Sequence, residues 1–131
     1  MNNGNAISVL KVKGILLVTM PSDPDDTTIG ALQENVLAAI ERYSAKGLIL
    51  DISALDTMDS YFARTISETA EMVSLMGGRT IIVGMRPAIA ITAVQMGLSL
   101  NRIECSLTMD RAFDRYETKQ DLRNSRPRTL R

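Results

Sequence analysis

The feature that most constrains this chain is a set of short apolar runs separated by segments with helical periodicity. Lys46 to Ile52 (Lys-Gly-Leu-Ile-Leu-Asp-Ile) is almost continuously apolar and carries one carboxylate, Asp51, near its end. A run this short without polar alternation fits a strand covered by other elements, as in the parallel part of an α/β sheet. Arg79 to Met85 and Ile103 to Leu107 repeat the pattern. Between these runs, Ile29, Leu32, Val36 and Ile40 recur at the i, i+3, i+7, i+11 spacing of one helical face, in a segment that opens near Thr27 behind the acidic loop Pro21 to Asp26. Phe62, Ile66 and Val73, flanked by Ala63, Ala70 and Met76, mark a second helix that Gly77-Gly78 closes. Pro87 suits the first turn of a short third helix carrying Ile89, Ile91 and Val94, and Asp110 to Thr118 forms a fourth with Phe113 facing inward. Upstream, Ile7 to Val12 and Gly14 to Met20 meet at Lys13-Gly14 and predict a hairpin. The order β-β-α-β-α-β-α-β-α requires crossovers between the later strands. The predicted class is therefore α/β, a mixed sheet of about four to five strands packed against about four helices. Strand order, and with it the face on which each helix lies, is left open.

At 131 residues the chain has the size of one domain, and 45% hydrophobic with 23% charged residues is a globular balance. Its apolar runs fall far short of the roughly 20 residues that cross a bilayer, and the amino terminus lacks a signal-type pattern, so a cytoplasmic location is expected. Residues 1–118 carry 10 Lys/Arg against 14 Asp/Glu, whereas residues 119–131 carry five (Lys119, Arg123, Arg126, Arg128, Arg131) against Asp121 alone. The expected organisation is a domain over 1–118 and a basic, disordered tail over 119–131. That tail has no aromatic residue on which bases would stack, and nucleic acid is not an expected partner.

Enzymatic readings find little support. The chain has no histidine and one cysteine, which removes His-based triads and any structural zinc cluster within one chain. It also lacks a glycine-rich phosphate loop. Asp56 and Asp59 are paired carboxylates without a further catalytic group. No catalysis, metal or cofactor is expected. Cys105, inside an apolar run, is expected to be a small buried residue. Most of the eight methionines are expected to fill core gaps. Met58, in a loop, is the expected exception, an exposed thioether available to a partner.

The segment Ser53 to Ser60 lies at the carboxyl end of the third strand, where open α/β sheets place their binding sites. Asp59 or Ser60 at a helix start can act simply as a cap, worth about 1 kcal/mol. A phosphate on Ser60 would also be accommodated by the helix amino terminus, while adding about −1.5 to −2 charge beside Asp56 and Asp59. The two uses are compatible, and the second would alter docking without unfolding the domain.

Leu50-Asp51-Ile52-Ser53-Ala54-Leu55-Asp56-Thr57-Met58-Asp59-Ser60, Phe62-Ala63 and Met72 to Gly78 together resemble the STAS domain family. Gly84-Met85-Arg86-Pro87-Ala88-Ile89-Ala90-Ile91-Thr92 and Met96-Gly97-Leu98 resemble its RsbS type, the small stressosome scaffold and antagonist. The resemblance covers about residues 6–118. It implies the STAS (SpoIIAA-like) fold and a non-catalytic scaffold that assembles with itself and with RsbR-type STAS proteins. It further implies capture of an RsbT-type serine/threonine kinase, release on phosphorylation of Ser60, and resetting by an RsbX-type phosphatase. Asp56, Met58, Asp59 and Ser60 would form the partner-binding surface, with Asp59 a contact and not a phosphoacceptor. The alternative is an anti-sigma-factor antagonist of the SpoIIAA type, switched at the same serine. A module for lipid or nucleotide ligands is a third reading. The basic extension after Lys119 departs from the family pattern.

Overall fold

Lys13 and Gly14 both take positive φ, 55° and 77°, the type I′ geometry whose twist matches a two-residue hairpin. In the computed structural model, which describes residues 7–125 and the side chains of 7–117, this turn joins β1 (Ser8–Val12) to β2 (Ile15–Thr19). β2 runs parallel to β3 (Gly47–Asp51), β3 to β4 (Arg79–Val83) and β4 to β5 (Ile103–Ser106), giving one five-stranded sheet in the order β1-β2-β3-β4-β5. The connections are α1 (Asp26–Tyr43), α2 (Ser60–Leu75) and α3 (Pro87–Gln95), and α4 (Met109–Ser125) follows the last strand. The mixed sheet and four helices are those expected.

Every crossover steps one strand onward in the same direction, so connections of the usual right hand put α1, α2 and α3 on one face. Leu16, Val18, Leu48, Leu50 and Ile82 share a core there with residues of all three helices, among them Leu32, Phe62 and Ile89. The alternate residues Ile15, Ile49, Ile81 and Val83 pack on the other face with Ala112 and Tyr116 of α4. β3 is thus covered on both sides, which is why Leu48-Ile49-Leu50 shows no polar alternation. Gly77-Gly78 ends α2 as expected: the Gly78 and Gly77 amides donate to the Val73 and Ser74 carbonyls at 2.9 and 3.0 Å.

α4 is clamped at the amino-terminal ends of β3 and β4. The Tyr116 hydroxyl donates to the Arg79 carbonyl at 2.7 Å and lies 3.4 Å from that of Leu48. Arg79 in turn makes a two-pronged pair with Glu104, at 2.8 and 2.6 Å, which raises its already high pKa. Burial pushes the Tyr116 phenol well above its ordinary range, against the opposing pull of Arg79.

Phe113 packs inward as expected, half-buried beside the buried Ala112 and Tyr116. Three expectations about these elements differ from the structure. In α3, Ile91 and Val94 are exposed, since only Ile89 and Ala93, one turn apart, face the sheet. Cys105 is exposed, because β5 is an edge strand on which only Ile103 is buried; desolvation of the sulfur nevertheless raises its thiol pKa. Finally, α4 runs on to Ser125, so the segment expected to be disordered from 119 is helical in backbone over 119–125. No Gly or Pro interrupts it before Pro127. Residues 126–131 lie outside the described residues.

Removing the Tyr116 hydroxyl with Tyr116→Phe is expected to lower stability by about 1 kcal/mol in urea denaturation. Because the folded phenol titrates above the unfolded value of about 10, its stabilisation is complete below that pH and is lost as pH rises beyond it. Wild type should therefore weaken above about pH 10 more steeply than Tyr116→Phe. Coincident stability curves for the two proteins would disprove the clamp.

Candidate functional site

The loop from β3 to α2 is held from below by every third residue. Ile52, Leu55 and Met58 are buried among the core residues, while Ser53, Ala54, Asp56, Thr57, Asp59 and Ser60 face out. Backbone bonds fix the path between these anchors. Ile52 N–H donates to the Val83 carbonyl at 3.0 Å, Leu55 N–H to Ile52 at 3.0 Å, and Asp56 N–H to Ser22 of the preceding crossover loop at 2.9 Å. The Asp51 carboxylate, half-buried, accepts from the Ser53 amide at 2.9 Å. From the opposite side the Arg86 guanidinium donates to the Leu55 carbonyl. Gly84 takes φ of +80°, and a Cβ there would lie 2.7 Å from that of Ser53, so this position needs glycine on both counts. Three consecutive strand ends thus converge on one loop.

α2 begins inside this frame. Asp59 is the N-cap, its carboxylate accepting from the Phe62 amide at 2.8 Å, and its carbonyl takes the Ala63 amide at 3.1 Å. Ser60 is therefore the first helical residue, exposed, and its hydroxyl makes no hydrogen bond among the described residues. Of the two uses weighed for the Asp-Ser step, capping falls to Asp59 and leaves Ser60 available. Asp56 and Asp59 are exposed beside it, as expected.

Met58 is a correction: it is 4% exposed, not a partner-facing thioether. It occupies the position before the N-cap and shares the core with Ala63, the fourth helical residue, the arrangement of a hydrophobic staple. That spacing was present in the sequence and identifies Met58 as an anchor. The reverse holds for Met72 and Met76, expected in the core and exposed at the end of α2.

Two arginines beside the loop were missed. Arg64 lies four residues after Ser60, a spacing that brings helical side chains together. The two line an open groove of about 350 Å³ that α2 shares with Met96 and Gly97. The Arg64 guanidinium stands 5.6 Å from the centroid of the Tyr61 ring. Arg86, whose side chain crosses to Leu55, precedes Pro87 at the start of α3, and no local pattern announced its long-range contact. Among the described residues, no group of three or more His, Cys, Asp or Glu side chains is placed to hold a metal ion, and no helix is long and apolar enough to cross a membrane.

The fold and this loop present an exposed serine at the start of a helix on an anchored platform. The STAS domain model matches residues 6–112, and the chain belongs to that family. Among curated relatives, the RsbT co-antagonist protein RsbRB of Bacillus subtilis (strain 168) is 29% identical over 105 residues, which cover 80% of this chain and 38% of that protein. The chain therefore spans well under half of that relative's length. Among solved structures, an RsbS of Moorella thermoacetica carrying a serine-to-glutamate substitution superposes with a TM-score of 0.79 at 28% identity, covering 88% of this chain and 98% of that one. A chain from the stressosome, described as a signal integration and transduction hub, gives 0.73 at 29% identity, with coverages of 86% and 98%.

Substituting the N-cap with Asp59→Ala is expected to lower stability by about 1 kcal/mol, and truncating the anchor with Met58→Ala by about 2–4 kcal/mol. Asp56→Ala, on the exposed side, should stay within about 0.5 kcal/mol of wild type. Thermal and urea unfolding of the three variants give this ranking directly. A Met58→Ala protein as stable as Asp56→Ala would contradict the buried anchor.

Proposed function

We propose that this chain is a non-catalytic stressosome subunit of the RsbS type, acting in the cytoplasm, which captures an RsbT-type serine/threonine kinase and releases it when Ser60 is phosphorylated. The carrying observation is the Ser60 hydroxyl, exposed and unbonded on an anchored loop, with Asp59 already serving as the cap. In the switching step the Ser60 oxygen takes the terminal phosphoryl group of kinase-bound ATP, leaving ADP and a proton; an RsbX-type phosphatase reverses it by hydrolysis. RsbR-type STAS proteins are the assembly partners in this reading. The likeness to the Moorella RsbS, with a TM-score of 0.79 at 28% identity, supports the RsbS type.

The mechanism is electrostatic. The added −1.5 to −2 charge at about neutral pH falls on a surface that already presents Asp56 and Asp59, so a partner docked there meets repulsion. The helix amino terminus offsets the cost within the domain. Asp56, Asp59 and Ser60 remain the proposed contact residues, and Met58 supports them from beneath.

The test combines the protein with an RsbT-type kinase and an RsbR-type partner. Ser60→Ala should keep kinase capture and lose phosphate incorporation, while Ser60→Asp should weaken capture about tenfold or more, equivalent to roughly 1.4 kcal/mol. Phosphate incorporation undiminished in Ser60→Ala would sink the assignment. Size-exclusion chromatography separates the two regulatory readings. A large assembly with the RsbR-type protein is expected, and only small species would favour the SpoIIAA-type antagonist.

A further inference from the structure

We propose that Arg64 is the internal counter-ion that receives a phosphate placed on Ser60. This deepens the phosphoserine reading above and rests on it. Ser60 and Arg64 stand one turn apart on α2 and line the same open groove, whose volume of about 350 Å³ leaves room for a phosphate between them. The arginine is already turned toward the first helical turn, since its guanidinium sits 5.6 Å from the ring centroid of Tyr61, the residue after Ser60. Helical side chains lean toward the amino terminus in this way, so a group on Ser60 lies on the side toward which Arg64 points.

Arg64 is also available. It is exposed, and among the described residues the three ion pairs are Lys13–Glu117, Arg79–Glu104 and Arg115–Glu104, none of which involves it. Glu68, one turn further along the same groove, is likewise in none of these pairs. The contact with Tyr61 is weaker than a two-pronged guanidinium–phosphate pair, so a phosphate would win the side chain. Arg86, the other nearby cation, is engaged with the Leu55 carbonyl. Phosphorylation would therefore do more than add negative charge: it would withdraw the Arg64 guanidinium from any docked partner and lift it from the Tyr61 ring.

The experiment installs phosphoserine at position 60 during translation, so no kinase is needed, and follows the phosphate by phosphorus NMR across pH. An adjacent guanidinium favours the dianion, so the second ionisation of the wild-type phosphoserine should lie below its usual midpoint near 6. Arg64→Gln should raise that midpoint by about 0.5 pH unit, and Arg64→Lys, which keeps the charge, should retain at least half of the wild-type displacement. Arg42→Gln is the matched control, since Arg42 also stands over a tyrosine ring, Tyr43, but at the far end of α1. It should titrate as wild type does. Tyr61 ring resonances should shift on phosphorylation in wild type and not in Arg64→Gln. Coincident titrations of wild type and Arg64→Gln, or an equal displacement by Arg42→Gln, would overturn the proposal. A kinase that left Ser60 unmodified would count against the functional reading alone and would leave these titrations as they stand.

Discussion

The burial of Ile52, Leu55 and Met58 is the constraint on which the site depends. Three side chains at every third position pull the loop against the core, and the residues between them have no direction left but outward. Asp59 then has its carboxylate over the first free amides of α2, and Ser60 follows as the first helical residue. A loop held in this way is a platform and not a flexible tether. Its exposed hydroxyl at Ser60 can change chemically at little cost to the anchors, because the buried side chains that hold the loop and the Ser60 side chain that faces solvent are different residues. Charge added at Ser60 would therefore be expressed as a change in docking.

The sheet order supplies the rest of the platform. With β2 to β5 parallel and each crossover advancing by one strand, the loops that follow β2, β3 and β4 lie side by side at one end of the sheet. Ser22, the 53–59 loop and Arg86 belong to these three neighbouring connections, and the hydrogen bonds among them join the connections into one surface. α4 covers the opposite face and is fastened at the other end, by Tyr116 on the Arg79 carbonyl. Stability and recognition are thereby separated in space: the clamp lies at the strand beginnings, the exposed serine at the strand ends.

Much of the fold was legible because local rules and tertiary structure agree. The hairpin turn at Lys13-Gly14, the apolar face of α1, the Gly77-Gly78 stop and the covered strand Gly47–Asp51 are each written in a few adjacent residues. Strand order was not, since it depends on which strands pair across long separations. Met58 was misjudged by treating a loop residue as exposed, whereas its position before the N-cap carries an inward-facing signal. Cys105 and Ile91 failed for the opposite reason: apolar residues on an edge strand and on a short helix have too few neighbours to cover them. Arg86 reaches Leu55 across 31 residues, a contact that no local spacing encodes.

The charges around Ser60 show why a single modification there can be decisive. Asp56 and Asp59 in the loop, with Glu68 and Glu71 along the groove, are four carboxylates set against the two guanidiniums of Arg64 and Arg86, so the surroundings are acidic before any phosphate is added. A phosphate would add about −1.5 to −2 more, and at physiological salt its reach of about 8 Å extends only over the immediate docking surface. That surface would become more strongly negative while the remainder of the molecule presents the same face to its neighbours. Arg86 holds the loop through the Leu55 carbonyl, whereas among the described residues the contact of the Arg64 guanidinium is with the Tyr61 ring. One arginine is thus committed to structure and the other is free to respond, an arrangement in which the frame of the site and its electrostatic state can vary independently.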